Sequence, residues 1–497
     1  FAAAFITPIL LAFSLNHLYK KSVNKKAIVA IFVLGISFWL SAWWYHGDLG
    51  HKILLEKKKD HIDLYTLSPG FKKILKMNEE SSENYRVLFL PAVLSPSFVK
   101  TKYQNKAQGV QPEYLYLRNP TFVAEFNSYA STIQHTFEKN VAVDYLNFLR
   151  LFSVKNIVLR SDVNPNFTES GKFWDSKKVK KTLDSYKWLE KYFEGEYEVG
   201  YRIKSKYFLP RIYSTTQLVF VSGKQDNVDK IASLNQPQDR KGFIFSESIT
   251  KKQMTFILGK SAEFVTADYA KNLSSLKTVD GKYAISKDGK YEVFIYSNNK
   301  FWEKEIDYFS IKENGRIPII KNVVSESSGW LSLGAMVLKK GNHKISFTAV
   351  DNNGKMMHMN ETFIALRLRS SSLGDRPKVS FTRINPAKFR ARVTDVTNPY
   401  LLVFSESFNS GWKAYHGRIN WFQSLWAKPI AEDKHFSVNG YANAWYIDKQ
   451  SDQDITLYYW PQTLFYIGLI LSGLLLIGLL TYLTLDWLKS RTNMAGS

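Results

Sequence analysis

The sequence predicts a multi-domain membrane protein in which transmembrane α-helices accompany an extracytoplasmic α/β module and two β-sandwich modules of jelly-roll type. Uncharged apolar runs lie near both ends of the 497-residue chain, and a polar stretch of roughly 410 residues separates them. Within that stretch, apolar residues recur first at helical spacing and then in alternation, which indicates a mixed module followed by strand-rich ones.

The composition excludes several kinds of site. The chain has no cysteine, which excludes disulfides, thiolate metal sites and a cysteine nucleophile. Its first residue, Phe1, lies inside an apolar run. We therefore interpret the sequence as part of a longer protein.

The charge balance is strongly basic. The formal net charge is +23, mostly from lysine spread along the chain, with no compact basic run and no nucleic-acid-binding motif. We therefore expect no nucleic-acid partner and favour attraction to an anionic envelope surface. A generally lysine-rich proteome is an equally good explanation of the excess.

Three apolar segments are long enough to span a membrane. They are residues 1–18, 27–44 and 464–485. Within hydrocarbon the backbone must satisfy its own hydrogen bonds, so runs of about 20 apolar residues form helices. The first segment contains Pro8 and His17 and is also compatible with a buried core helix.

Basic flanks give the predicted orientation, because short loops rich in lysine and arginine stay in the cytoplasm. The relevant residues are Lys20, Lys21, Lys25, Lys26, Lys489 and Arg491. Residues 1–45 would form two transmembrane helices with a cytoplasmic loop, and residues 460–497 a C-terminal transmembrane helix with a cytoplasmic tail. The prediction is therefore a multi-pass protein of the cell membrane with a large extracytoplasmic domain.

The outer region divides into three modules. Residues 46–210 alternate short strands with amphipathic helices, one of them over 178–193, and predict an α/β module. Residues 211–373 contain alternating strands with Gly/Asn turns, including two strands joined by a turn at 340–342, which indicates a β-sandwich. Residues 374–459 form a second β-rich module that joins the last helix almost without a linker.

No catalytic constellation stands out. The sequence has no glycine-rich phosphate loop, no Gly-x-Ser-x-Gly elbow and no His-Glu-x-x-His pair. Asp162 and Glu406 end predicted strands, where functional residues are common, although a structural role is favoured for both. We therefore predict no catalytic residue, no metal site and no cofactor within this chain.

Aromatic residues give a better lead, since they make up 15% of the chain and many fall in the β modules. Sugar rings have apolar faces that stack on Trp and Tyr while neighbouring polar side chains bond the hydroxyls. The predicted carbohydrate-binding residues are Trp330, Trp412, Tyr415, Tyr441, Asn443 and Trp445. The alternative is that such rings fill the sandwich cores. Trp421 and Trp426 lie in a polar loop, where exposure or membrane contact is as good an interpretation as burial.

Six segments resemble motifs of the YfhO-like and arabinofuranosyltransferase-like members of the GT-C glycosyltransferase superfamily. They are Arg86–Pro91, Leu151–Val158, Phe208–Tyr213, Leu402–Tyr415, His435–Trp445 and Tyr459–Gln462. Separately, Gly329–Gly341 is similar to a hairpin of jelly-roll carbohydrate-binding modules.

The resemblance implies a membrane enzyme of cell-envelope glycan assembly that takes a sugar from a polyprenyl-phosphate donor, with the outer domain positioning the acceptor glycan. The partners it implies are the lipid bilayer, a lipid-linked sugar donor and a glycan acceptor. In that superfamily the catalytic carboxylate lies on the first outer loop near the amino terminus, which this sequence lacks, so we expect the chain alone to be inactive. A non-catalytic, membrane-anchored carbohydrate-binding or scaffold protein is the alternative, and a transporter or flippase accessory is a third interpretation.

Overall fold

The structure is a computed structural model. It describes residues 68–81, 83–91, 146–162, 175–234, 240–272, 278–296, 306–313, 319–320, 324–325, 330–357, 362–369 and 375–495. The first two predicted transmembrane segments and the basic loop between them lie outside the described residues. Within the described part, the chain consists mostly of β-sheet modules, with one long apolar helix at its C-terminal end.

The first module is a four-stranded sheet with helices beside it. Its elements are α1 (Pro69–Glu79), β1 (Arg86–Leu90), α2 (Leu146–Leu151), β2 (Val154–Arg160), α3 (Ser176–Ser185), β3 (Leu189–Glu194) and β4 (Glu198–Ile203). The strand order is β1-β2-β4-β3, with β1 parallel to β2 and the other pairs antiparallel. Both β1 and β2 are buried at every position, although β1 is an edge strand of the sheet.

The helix predicted over 178–193 is helical only in its first half. The helix α3 ends at Ser185, and Leu189–Glu194 is the strand β3. Tyr186 has extended dihedral angles (φ −80°, ψ 117°), and β3 then pairs with β4 in the sheet. Sheet pairing therefore overrides the local helical pattern.

The central module is an eleven-stranded sheet whose two halves are joined by one long strand. After β5 (Ile212–Thr215), its elements are β6 (Gln217–Ser222), α4 (Val228–Ser233), β7 (Lys241–Phe245), α5 (Lys251–Lys260), β8 (Glu263–Asn272), β9 (Thr278–Ile285), β10 (Gly289–Tyr296), β11 (Ile306–Glu313), β12 (Ile319–Ile320), β13 (Val324–Ser325), β14 (Trp330–Leu338), β15 (Gly341–Asp351) and β16 (Thr362–Arg369). β8 pairs with β6 and β16 in one half, and its last two residues pair with β9 in the other. Buried residues of both halves form one hydrophobic cluster, as in a β-sandwich.

The two strands predicted on either side of the turn at 340–342 exist, but they do not pair with each other. β14 pairs with β10 and β13, whereas β15 pairs with β9 and β11. Gly341 begins β15 at φ +142°, and the Lys340 amide donates to Asp288 Oδ1 at 2.6 Å. The chain therefore crosses between the two halves of the sheet here, beside the connection from β9 to β10, and no hairpin forms.

The third module is a sandwich of two four-stranded sheets. Its strands are β17 (Lys378–Asn385), β18 (Lys388–Thr394), β19 (Tyr400–Ser407), β20 (Trp412–His416), β21 (His435–Val438), β22 (Ala442–Ile447) and β23 (Gln453–Tyr459). One sheet has the order β17-β18-β23-β20 and the other β21-β22-β19-β5. Phe389, Phe404, Trp412 and Trp445 lie in the hydrophobic cluster of this module. We call this module the C-terminal sandwich.

The predicted module boundary at residue 211 does not coincide with a boundary between the sheets. β5 follows directly on the α/β module, yet it pairs antiparallel with β19 and completes a sheet of the C-terminal sandwich. Ile212 is fully buried in that sandwich's core cluster. The predicted central module, 211–373, therefore begins with a strand that belongs to the next module, because Ile212 finds its apolar partners there.

The last element is the helix α6 (Pro461–Ala495). Its first 22 residues, Pro461–Tyr482, make it the one helix among the described residues that is long and apolar enough to cross a membrane, and only 6% of its apolar window is buried by the rest of the chain. This helix contains most of the predicted third segment. It follows β23 after the single residue Trp460, so the sandwich and the helix are directly joined.

Candidate functional site

The six residues predicted to bind carbohydrate are all buried. The exposed fractions of Trp330, Trp412, Tyr415, Tyr441, Asn443 and Trp445 are 1%, 8%, 2%, 8%, 0% and 1%. Stacking on a sugar needs an accessible ring face, so these residues do not form the predicted stacking surface. Their environments correspond to the alternative, in which aromatic rings fill the sandwich cores.

Trp330 connects a helix to the central module. Its ring packs against Phe294, Tyr296 and Phe363 at centroid distances of 6.3, 5.1 and 5.9 Å. Its Nε1 donates to Ser233 Oγ at 2.8 Å and to the Lys230 carbonyl at 3.2 Å. Since both acceptors lie on α4, the indole fixes that helix to β14.

Trp412, Trp445 and Tyr415 are structural residues of the C-terminal sandwich. Trp412 meets Phe404 edge-on at 4.9 Å. Trp445 stacks on the imidazole of His435 at 4.6 Å with an interplanar angle of 6°. Burial raises the pKa of Tyr415 to about 12, so its hydroxyl stays protonated at neutral pH.

Asn443 fixes the chain reversal after β19. Its Nδ2 donates to the carbonyls of Glu406 and Ser407 at 2.8 and 3.2 Å. Its Oδ1 accepts from the Asn409 amide at 3.1 Å and lies 3.1 Å from His435 Nε2. Burial lowers the pKa of His435 to about 4, so the neutral imidazole can donate to Asn443. All hydrogen-bonding positions of the Asn443 amide are therefore occupied by partners within the protein.

Tyr441 joins the α/β module to the C-terminal sandwich. Its ring stacks on Phe152 at 4.3 Å with an interplanar angle of 9°. Its hydroxyl donates to the Leu151 carbonyl at 2.8 Å. Leu151 and Phe152 lie in the segment Leu151–Val158, and Tyr441 lies in the segment His435–Trp445, which are two of the six segments singled out in the sequence.

A buried charge cluster lies at the same junction. Glu406 accepts a hydrogen bond from Arg211 Nη2 and lies 3.6 Å from Arg86 Nη2, and the two guanidinium side chains are 2% and 0% exposed. Arg86 also donates to the Phe152 carbonyl at 2.9 Å. Asp162, the other strand-end carboxylate, forms a bidentate pair with Arg160 at 2.8 and 3.0 Å. Both carboxylates are thus engaged in structural ion pairs.

Among the described residues, an open cleft lies between the central module and the C-terminal sandwich. It has a volume of about 470 Å³. The residues that line it are Thr215, Thr216, Leu218, Gly259, Lys260, Ser261, Ala262, Lys287, Asn398, Pro399, Tyr400, Leu401 and Tyr446. None of the predicted carbohydrate-binding residues is among them. No sequence pattern indicated this cleft, because its walls come from segments of two modules that are distant in the chain.

The cleft has the chemistry of a site for a polar ligand. Hydroxyl groups, the Asn398 amide and the ammonium groups of Lys260 and Lys287 are set among the apolar surfaces of Leu218 and Pro399. The Lys287 ammonium lies 5.2 Å from the centroid of the Phe264 ring, and both lysines are exposed. Within the described residues, neither ammonium has a carboxylate within 4.0 Å. This arrangement suits a ligand with many hydroxyls, with or without a negative charge.

The cleft lies at the end of the C-terminal sandwich that is remote from the apolar helix. Lys388, the first residue of β18, pairs with Tyr458 just before α6, and Val393 pairs with Gln453 at the other end of β23. The cleft residues Asn398 and Pro399 follow β18 in the chain, so they lie near this second end. The length of β18 therefore separates the cleft from the start of the helix, and this length is about 20 Å for seven residues.

Among the described residues, no group of three or more histidine, aspartate and glutamate side chains is arranged to hold a metal ion. The cleft, which offers hydrogen bonds and positive charge, is the candidate site.

Comparison with protein-family models and with curated protein sequences finds no match. Among solved structures, the chain is similar to the cryo-EM structure of arabinofuranosyltransferase AftD from mycobacteria, with a TM-score of 0.43 and 7% identity over 84% of this chain and 64% of that chain. Two structures of a mutant of that protein give TM-scores of 0.44 and 0.46, also at 7% identity and over 84% of this chain. This chain spans slightly less than two thirds of the length of these neighbours, since it covers 64% to 66% of them.

Proposed function

We propose that this chain is the C-terminal part of a multi-pass membrane glycosyltransferase of the GT-C type. The whole protein would transfer a sugar from a polyprenyl-phosphate donor during assembly of a cell-envelope glycan. The part described here would be its extracytoplasmic domain, which positions the acceptor glycan.

One observation carries the proposal: the six family-like segments, scattered from Arg86 to Gln462, converge on one structural unit. Three of them build the C-terminal sandwich and its connection to α6, and Phe208–Tyr213 enters the same sandwich through β5. The remaining two contact it through the Arg86–Glu406 pair and the Tyr441–Phe152 stack. A set of chance similarities would not be expected to assemble around one junction.

The position of the cleft supports a role in binding the acceptor. The sugar of a polyprenyl-phosphate donor is tethered to its lipid and stays close to the membrane surface. A growing glycan extends away from that surface. A polar cleft about 20 Å along β18 from the start of α6 is therefore better placed for the glycan than for the donor.

Charge reversal in the cleft should weaken acceptor use by the full-length enzyme. We expect Lys260→Glu/Lys287→Glu to raise the KM for the acceptor at least tenfold, because the loss of even one hydrogen bond from a charged donor costs about 1.5–3 kcal/mol and tenfold corresponds to about 1.4 kcal/mol. The kcat at saturating acceptor and the KM for the polyprenyl-phosphate donor should stay unchanged. Steady-state kinetics of the enzyme in lipid vesicles measure all three quantities.

The matched control is Lys177→Glu/Lys181→Glu, which makes the same charge change at two exposed positions of α3 in the α/β module. This control should leave the KM for the acceptor at the wild-type value. Equal effects of the two double variants would mean that overall charge, and not the cleft, determines acceptor use. Acceptor binding without any sugar transfer by the wild-type protein would favour the non-catalytic carbohydrate-binding alternative.

A further inference from the structure

In a loop beside the first turns of α6, a polar side chain is buried and large apolar side chains are exposed. This loop, residues 421–426, which we call the collar loop, is part of the connection from β20 to β21. Its polar Ser424 is buried, with an exposed fraction of 3%, whereas Phe422, Leu425 and Trp426 are 54%, 44% and 62% exposed. Soluble surfaces normally show the opposite arrangement, so the exposed side of this loop is suited to an apolar environment.

The collar loop has a fixed conformation. The Asn420 amide donates to Gln423 Oε1 and the Gln423 amide donates to Asn420 Oδ1, both at 2.8 Å. Ser424 Oγ donates to the Trp421 carbonyl at 2.6 Å. The exposure of the three apolar side chains is thus a property of a well-bonded turn.

The collar loop is attached to the first turns of α6. Ser424 Oγ and Thr463 Oγ1 are 2.7 Å apart, and Trp460 Nε1 donates to the Ser424 carbonyl at 3.3 Å. The Trp421 ring contacts the Tyr466 ring at 5.4 Å. The exposed apolar side chains therefore continue the apolar surface of the helix, on which Leu464 and Phe465 are 54% and 51% exposed.

A second loop also lies beside the start of α6. The Tyr459 amide donates to the Ala387 carbonyl at 2.8 Å, so the turn between β17 and β18 lies beside the start of α6. Ile384, just before this turn, is 47% exposed. Exposed Lys428 follows the collar loop, and basic groups at this level would attract lipid phosphates.

We propose that the collar loop inserts Phe422, Leu425 and Trp426 into the headgroup layer of the bilayer next to α6. Amphipathic tryptophan and other aromatic side chains favour this layer, and apolar side chains a few ångströms deep add to the attachment. The loop and the helix together then form two points of contact with the membrane. They hold the outer domain at a fixed height and tilt, which a single helix joined by a flexible linker would not do.

The test uses single cysteines, because the chain has no native thiol. Trp426→Cys is labelled with an environment-sensitive fluorophore in the full chain, reconstituted one copy per nanodisc of anionic phospholipid. Lys378→Cys, at the end of β17 remote from α6 and highly exposed, is the aqueous control. Leu475→Cys, 76% exposed on α6, is the membrane control. All three positions are exposed in the protein, so labelling does not disturb the core.

The label at Trp426→Cys should show a blue-shifted emission, quenching by lipids that carry a spin label near the headgroup, and loss of quenching by aqueous iodide. Its depth should be shallower than that of the Leu475→Cys label. An emission and iodide quenching equal to those of the Lys378→Cys label would overturn the proposal. A blue shift without quenching by the spin-labelled lipids would also overturn it, since a protein surface and not lipid would then cover the loop.

Discussion

Replacing Trp330 by alanine is expected to destabilise the central module by about 3–5 kcal/mol, the usual cost of truncating a buried aromatic side chain. The indole is 1% exposed and fills a space between Phe294, Tyr296 and Phe363. The substitution also removes the hydrogen bond to Ser233 Oγ, so α4 loses its fixed attachment to β14. Trp330→Phe keeps part of the packing and should lose less, about 0.5–1.5 kcal/mol for the hydrogen bond to Ser233 Oγ, because Ser233 Oγ still donates to the Lys230 carbonyl.

Native-state hydrogen exchange of the amides in β10 and β16 measures this effect locally, without requiring that the whole chain unfold in one step. Trp426→Ala is the matched control, because its ring is 62% exposed. In detergent, that substitution should change stability by no more than about 0.5 kcal/mol. If both alanine variants lowered protection in β10 and β16 equally, the assignment of Trp330 to the core would be wrong.

Replacing Glu406 by glutamine is expected to cost about 3–5 kcal/mol at the junction of the α/β module and the C-terminal sandwich, because it removes the carboxylate that faces two buried guanidinium groups. Glu406 pairs with both Arg86 and Arg211, whose side chains are almost fully buried. Glu406 is itself 23% exposed, so water reduces the penalty and the lower end of this range is expected.

Two further variants isolate the charge effect. Asp395→Asn breaks the exposed pair with Lys378, whose side chains are 59% and 83% exposed, and should cost no more than about 1 kcal/mol. Arg86→Met combined with Glu406→Gln removes one of the buried charges and should recover part of the loss. Hydrogen exchange of β1 and β19 is the measurement, and a cost for Glu406→Gln no larger than that for Asp395→Asn would show that the cluster is not structurally important.

Local patterns in the sequence were enough to predict several of the strands. The two strands predicted on either side of the turn at 340–342 exist as β14 and β15. The predicted third apolar segment lies within α6. These elements depend on residues close together in the chain, so their patterns survive in the folded structure.

Features that depend on distant partners were not predicted. Nothing in Ile212–Thr215 indicates that it pairs with β19, nearly 200 residues later. Alternation also did not reveal that β14 and β15 belong to different halves of the central sheet. For the same reason the cleft was missed, since its walls come from parts of the central module and of the C-terminal sandwich that are distant in the chain.

The six residues predicted to bind carbohydrate are buried, and none of them lines the cleft. An aromatic side chain on a strand has the same sequence signal whether its ring faces a sugar or the core. The Asn443–Trp445 pair illustrates this, because the structure uses the amide to bond the turn after β19 and the indole to fill the core. Phe422 and Trp426 are instead exposed, in a loop whose sequence did not distinguish membrane contact from exposure or burial.

The most direct test of the proposed function is sugar transfer by the full-length protein that contains this chain, purified and reconstituted in lipid vesicles. The assay supplies a radiolabelled sugar on polyprenyl phosphate, or the same sugar on a nucleotide, together with an envelope glycan as acceptor. The proposal predicts label in the glycan from the polyprenyl-phosphate donor alone, with a higher acceptor KM for Lys260→Glu/Lys287→Glu. Glycan that binds to the protein but never acquires label from either donor would contradict it.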